Sequence, residues 1–168
     1  YGIELDPRLV QISEKREGFD RLLVIAEGLT LNQVVEAMRK SFEVWTYMDD
    51  LDHGVSKNDR SPASGSYPIW VRDRAEADEE LAGKSANNLA AENLATETLL
   101  ERLVHEHFCH TQTDSHLDVR NQTLCAGSRY SDGRVPSVYW NSYDRELEVS
   151  WYSPYGARSI IRARAVVS

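Results

Sequence analysis

The sequence has few cysteines and no long apolar segment. Two cysteines, Cys109 and Cys125, occur among 168 residues, which is too few for the disulfide framework of a small secreted protein. No apolar run approaches the roughly 20 residues that a membrane-spanning helix requires. We therefore expect a cytoplasmic protein with no membrane partner.

The chain also lacks an initial methionine and any signal-peptide pattern. Because it opens at Tyr1, we expect that it is truncated and that further N-terminal residues precede it. Its length of 168 residues and its 41% hydrophobic content are typical of one soluble domain with one core. We predict a single domain over residues 1–168, with a polar loop at 49–66.

Lysine is absent from the last fifty residues, where every basic residue is an arginine. Residues 1–118 carry 12 basic and 23 acidic residues, whereas residues 119–168 carry seven arginines and four acidic residues. The larger part is therefore acidic, at 12 − 23 = −11, and the tail is basic, at 7 − 4 = +3. An acidic surface repels phosphate, which argues against general affinity for duplex nucleic acid.

Two capping-box patterns predict helices in the first two thirds of the chain. Thr30 precedes Gln33 and Thr98 precedes Glu101 at the spacing that satisfies free N–H groups at a helix start. After about residue 120 the apolar period changes to two, which predicts short strands joined by turns. We predict an α+β fold in which the helices pack on a mainly antiparallel sheet that ends in a C-terminal β-meander.

Four blocks of the chain are "SYPIWVRDRAEADEEL", "TLLERL", "LCAGSRYSDGRVPSVYW" and "RARAVVS". Together they resemble a group of bacterial hypothetical proteins of unknown function. The similarity covers most of the chain after residue 18. It implies a bacterial, cytoplasmic origin but indicates no activity, cofactor or fold.

The stretch "VHEHFCH" suggests a metal-binding helix. His105, Glu106 and Cys109 keep the spacing of a zincin helix, with cysteine in place of the second histidine. His107 and His110 lie on roughly the opposite side of a straight helix from His105, so one ion cannot bind all of them.

The alternative reading of this helix is structural. Leu100, Leu103, His107 and His110 follow one stripe, which we expect to be buried, with each imidazole in a hydrogen bond. We therefore expect no bound cofactor. A metal-dependent hydrolase that uses helix 98–111 remains the second hypothesis for function, with zinc bound by His107, His110 and His116.

Other candidate chemistry is incomplete. Cys125 and Arg129 are separated by three residues, whereas a phosphatase loop separates its cysteine and arginine by five, so a buried free thiol is the better reading. The acidic run 49–52 offers oxygen ligands for Mg²⁺ or Ca²⁺ but does not follow an EF-hand pattern. The acidic run 77–80 is typical of a solvated helix start.

The leading hypothesis is a non-enzymatic module that binds a macromolecule through the final sheet. If the apolar residues of the last strands face the helices, the other face displays Tyr139, Tyr152, Arg162 and Arg164. Such a surface suits a protein partner, or less readily a single-stranded nucleic acid. In the alternative interpretation, Glu148 pairs with these arginines and the face is only solvated.

Overall fold

A computed structural model describes residues 1–6, 8 and 10–168. The helices are α1 (Leu31–Met38), α2 (Leu51–Gly54), α3 (Ala86–Ala91) and α4 (Leu99–Thr113). The strands are β1 (Arg21–Ile25), β2 (Glu43–Thr46), β3 (Val55–Asn58), β4 (Tyr67–Val71), β5 (Gln122–Leu124), β6 (Ser128–Tyr130), β7 (Val135–Asn141), β8 (Glu146–Tyr152) and β9 (Ile161–Arg162). Among the described residues, no helix is long and apolar enough to cross a membrane.

Both predicted capping boxes form. At the start of α4, the Thr98 side chain accepts a hydrogen bond from the Glu101 N–H, and the Glu101 carboxylate accepts one from the Thr98 N–H at 2.7 Å. Thr30 and Gln33 make the same reciprocal pair before α1. These contacts satisfy backbone donors that a helix start otherwise leaves free, so the two helices begin where the sequence predicts.

The main sheet has the order β2-β8-β7-β5-β9. Strands β5, β7 and β8 pair antiparallel, and β2 and β9 add parallel edges beside β8 and β5. Two further antiparallel pairs, β1–β4 and β3–β6, complete the fold. The predicted α+β class with a mainly antiparallel, strand-rich C-terminal region is confirmed, although the last strand returns beside β5 instead of following β8.

The main sheet buries side chains on both of its faces. Val138, Leu147 and Val149 pack against α1 and α4 on the helix face. On the opposite face, Leu124, Val135 and Ile161 belong to a second cluster with α3 and the preceding 3₁₀ turn. This second layer covers β5, β9 and the start of β7, where Val135 and Ser137 are buried. In the described part of the chain, the open area of that face comes from β2, β8 and the end of β7.

Two segments differ from the sequence prediction. Segment 49–66 contains α2, β3 and a 3₁₀ turn, and its Leu51 and Val55 are buried in the core. It is therefore not a simple polar loop. The acidic segment 77–81 forms a 3₁₀ turn at Glu79–Leu81 and no α-helix, because Asp78 turns inward to bind Arg72 and the Ala165 N–H.

Asp118 is the centre of a buried polar network. One carboxylate oxygen accepts from Arg102 Nε and Nη2, at 3.0 and 2.8 Å, and from the Thr123 hydroxyl at 2.5 Å. The other accepts from Arg164 Nη2 at 2.7 Å and from the Ala77 N–H at 2.8 Å. Burial alone would raise the pKa of Asp118, but Arg164 and Arg102 lower it below its usual value.

We predict that Asp118→Asn lowers the free energy of unfolding by about 3 kcal/mol or more, because it leaves two arginines buried without their shared counter-charge. Asp114→Asn is the matched control. Both aspartates have a φ near +55°, at 53° for Asp114 and 55° for Asp118, which asparagine also tolerates, but the Asp114 side chain is 98% exposed. Urea unfolding at neutral pH measures both variants, and equal losses would contradict the assigned role of Asp118.

Candidate functional site

The open part of the main sheet forms an acidic surface. In the strand register Trp45 pairs with Glu148, and Glu148 with Tyr139, so these three side chains form one row across β2, β8 and β7. The next row holds Glu43, Glu146 and Asn141. We call this surface the acidic face and define it by six residues: Glu43, Trp45, Tyr139, Asp144, Glu146 and Glu148.

Three carboxylates of the acidic face converge. Oxygen atoms of Asp144, Glu146 and Glu148 lie within 4.8 Å of one another. The Asn141 amide connects two of them, since its Nδ2 donates to Asp144 at 2.7 Å and to Glu148 at 2.6 Å. The Tyr139 hydroxyl donates to the other oxygen of Glu148 at 2.5 Å. This oxygen-rich donor set suits positively charged groups, either a hard cation or an ammonium or guanidinium group.

Cations of the protein do not neutralise this surface. Within the described chain, no charged side-chain nitrogen of a lysine, arginine or histidine lies within 4.0 Å of a carboxylate oxygen of Glu43, Asp144, Glu146 or Glu148. Partial burial and the neighbouring carboxylates of Glu148, Asp144 and Glu43 raise the pKa of Glu146. The acidic face therefore holds mutually repelling charges that a cation would stabilise.

The predicted surface of Tyr139, Tyr152, Arg162 and Arg164 is not a single surface. Arg162 pairs with Thr123 and Thr123 with Val138, so Arg162 lies on the helix face, opposite Tyr139. Arg164 is only 2% exposed, because it is enclosed by its hydrogen bonds to Asp118 and to the Arg74 and Ala75 carbonyls. Neither arginine therefore belongs to the predicted surface.

The two tyrosines lie on the predicted face but in different surroundings. Tyr152 packs beside the second cluster, next to Val135, whereas Tyr139 belongs to the acidic face. Glu148 does not pair with an arginine, as the alternative interpretation required, but binds Tyr139 and Asn141. The face therefore carries the opposite charge from the one predicted. The alternation of Glu146 and Glu148 on β8 was the available signal for this.

Helix α4 distributes its histidines among separate environments. His105 is 1% exposed, and its Nδ1 lies 2.8 Å from Glu97. We predicted that His107 lies on a buried stripe, but it is partly exposed, and its Nδ1 lies 2.8 Å from the Tyr1 hydroxyl. The difference arises because the first eight residues of α4 are buried on every side and the last turns emerge. The zincin-like set of His105, Glu106 and Cys109 does not form a metal site. His105 is bound to Glu97, and Glu106 is bound to Arg102 and His116.

His110 and His116 come together in an aromatic stack. Their ring centroids are 4.8 Å apart with planes 19° from parallel, and His116 stacks on Trp140 at 3.3 Å. A metal ion must lie near the plane of each imidazole that binds it, because the nitrogen lone pair lies in that plane. Two nearly parallel stacked rings offer no such shared position. The geometry thus favours packing over a zinc site formed by His107, His110 and His116.

The remaining candidate residues have structural contacts. Burial raises the pKa of the Cys125 thiol well above its usual value, and Arg129 donates to backbone carbonyls. Asp50 caps α2, and Asp52 accepts from N–H groups at the start of α1. These contacts stabilise the fold and do not assemble a nucleophile or a metal site.

Comparison with known proteins gave no relatives. No protein-family model, curated protein sequence or solved structure matches the chain.

A pH dependence follows from the His105–Glu97 pair. Burial lowers the pKa of His105 more than Glu97 raises it, so the neutral imidazole donates to Glu97 in the folded state. A histidine with a lowered folded pKa contributes its full stability above the unfolded value of about 6.5, and this stability is lost as pH falls toward the folded pKa.

We predict that His105→Gln lowers stability at about pH 8, because glutamine does not fill the space of the imidazole, yet flattens the loss between about pH 6.5 and 5. Urea unfolding at both ends of this range measures the change. Exposed His53, changed to glutamine, serves as the control and should keep the wild-type pH dependence. An unaltered pH dependence in His105→Gln would refute the assignment. Part of the loss should remain, since burial also lowers the pKa of His107.

Proposed function

We propose that this protein is a non-enzymatic module that binds a lysine- or arginine-rich segment of another protein on its acidic face. The observation that carries the proposal is the set of four carboxylates without a cationic partner around Trp45, which is 44% exposed. Basic side chains can pair with the carboxylates, and one can stack on the indole as a cation–π contact.

The charge of the acidic face decides the class of partner. Phosphate groups of a nucleic acid would be repelled by Glu43, Asp144, Glu146 and Glu148, so a single-stranded nucleic acid is disfavoured. A lone metal ion would use only the three converging carboxylates. The charged and aromatic side chains extend over three strands, which better suits a chain with several basic residues.

We also propose the bacterial cytoplasm as the compartment. Both cysteines are free, with Cys125 buried and Cys109 partly exposed. An unpaired, accessible thiol such as Cys109 suits a reducing environment. The bacterial origin rests on the resemblance of sequence blocks described above.

We predict that the double variant Glu146→Gln and Glu148→Gln weakens binding of a short peptide that alternates lysine and serine by roughly tenfold or more. Glutamine keeps the shape of each side chain and removes its charge. Fluorescence anisotropy of the labelled peptide, at low and high salt, measures the affinity. A peptide with glutamate in place of lysine should not bind.

Glu14 and Glu17, both exposed and outside the acidic face, provide a matched control when changed to glutamine. This control removes the same net charge and should change affinity by less than about twofold. Equal weakening by both double variants would mean that only net charge matters and would refute the face. Tight Ca²⁺ binding that requires Glu146 and Glu148, without peptide binding, would replace the proposal with a cation site.

Trp45 tests the aromatic part of the site. We predict that Trp45→Ala weakens peptide binding roughly threefold to fivefold, as expected for loss of one exposed cation–π contact. Trp151 is the matched control because it is similarly exposed, at 39%, and lies on the opposite face of β8 from Glu148. Trp151→Ala should leave the affinity unchanged. A larger effect from Trp151 than from Trp45 would place the binding surface on the helix face.

A further inference from the structure

A polar cleft lies beside β9, apart from the acidic face. It has a volume of about 760 Å³ and is open to solvent. Its size falls within the range of small-molecule sites, about 300 to 1,000 Å³. Its charged lining consists of three arginines and three glutamates: Arg74, Arg120, Arg162, Glu76, Glu79 and Glu80.

One wall of the cleft is fixed by the buried network. Arg164 donates to the carbonyls of Arg74 and Ala75 at 2.9 Å each. Asp118 accepts from the Ala77 N–H and donates its own N–H to the Ala75 carbonyl at 2.9 Å. The backbone of this wall is thus anchored to side chains inside the protein. Such a wall needs little reorganisation when a ligand binds.

Most charges of the cleft already have partners. Arg74 donates to both oxygens of Glu80, at 2.8 and 3.0 Å. Glu76 accepts from the Arg120 N–H and, at 2.8 Å, from the Asn121 amide, and its carboxylate lies 3.6 Å from Arg120 Nε. Within the described chain, neither Arg162 nor Glu79 has an oppositely charged group within 4.0 Å. One positive and one negative charge therefore remain unpaired.

Arg162 is also short of hydrogen-bond acceptors. Its Nη1 donates to the Ala77 carbonyl at 3.3 Å, and its Nε is buried without a partner. A planar guanidinium binds a carboxylate through two parallel hydrogen bonds, which is the contact that Arg162 lacks. The unpaired Glu79 is a matching acceptor for an ammonium group.

We propose that this cleft binds a small zwitterion, with its carboxylate at Arg162 and its ammonium group at Glu79. The proposal does not rest on the proposed function, because none of its residues belongs to the acidic face. The paired arginines and glutamates leave the cleft without net charge, which disfavours a ligand with a single charge. The polar lining also disfavours an apolar ligand.

Glycylglycine is a suitable probe, with N-acetylglycine, glycinamide and inorganic phosphate as singly functional comparisons. Titration followed by ¹H–¹⁵N NMR should shift the amide signals of Ala77, Asn121 and Arg162. We predict that glycylglycine binds at least roughly fivefold more tightly than any comparison compound. Arg162→Gln should abolish saturable shifts, and Glu79→Gln should reduce the affinity to that of N-acetylglycine.

Arg158→Gln is the matched control, since Arg158 is exposed and outside the cleft. It should bind glycylglycine like the wild type. An unchanged NMR spectrum outside the cleft verifies that Arg162→Gln folds. Glu79 is exposed on the 3₁₀ turn, so Glu79→Gln is a second variant that should not disturb the fold. Absence of shifts with glycylglycine, or equal binding of phosphate or N-acetylglycine, would overturn the proposal.

Discussion

The buried carboxylate of Asp118 holds together parts of the chain that are far apart in sequence. It accepts two hydrogen bonds from Arg102 on α4 and one each from Arg164 beyond β9, Thr123 on β5 and the Ala77 N–H. Removing such charges from water costs several kcal/mol per ion, so the arrangement is stable only when the contacts are complete. This condition positions α4, the end of the chain and segment 74–78 together.

The same network determines what the surface displays. Arg102 and Arg164 form buried ion pairs with Asp118, and Arg102 also pairs with Glu106. The basic tail of the sequence therefore does not produce a basic sheet face. Glu146 and Glu148, from that same tail, point to the open side of β8 without cationic neighbours. A charge count by segment gives the sum of the charges but not the face on which each one lies.

Local patterns were sufficient to predict much of the fold. The capping boxes at Thr30 and Thr98 depend on contacts three residues apart, and the alternation along β8 depends on the pleat of one strand. The candidate site was harder, because the orientation of Arg162 and Arg164 depends on contacts with Ala77 and Asp118, 85 and 46 residues away. Such pairings leave no periodic signal. The burial of α4 on all sides likewise follows from long-range packing.

The carboxylates of the acidic face lack the cationic partners that the buried carboxylates have. Inside the protein each carboxylate of Asp118 and Glu106 is offset by arginine, whereas Glu146 lies among Glu43, Asp144 and Glu148 with its pKa raised. Repulsion among exposed carboxylates is partly screened by solvent and salt, so the fold tolerates it at modest cost. A basic partner would relieve that repulsion and form new ion pairs at once. The repulsion is present before the partner binds, so its relief contributes to the free energy of binding.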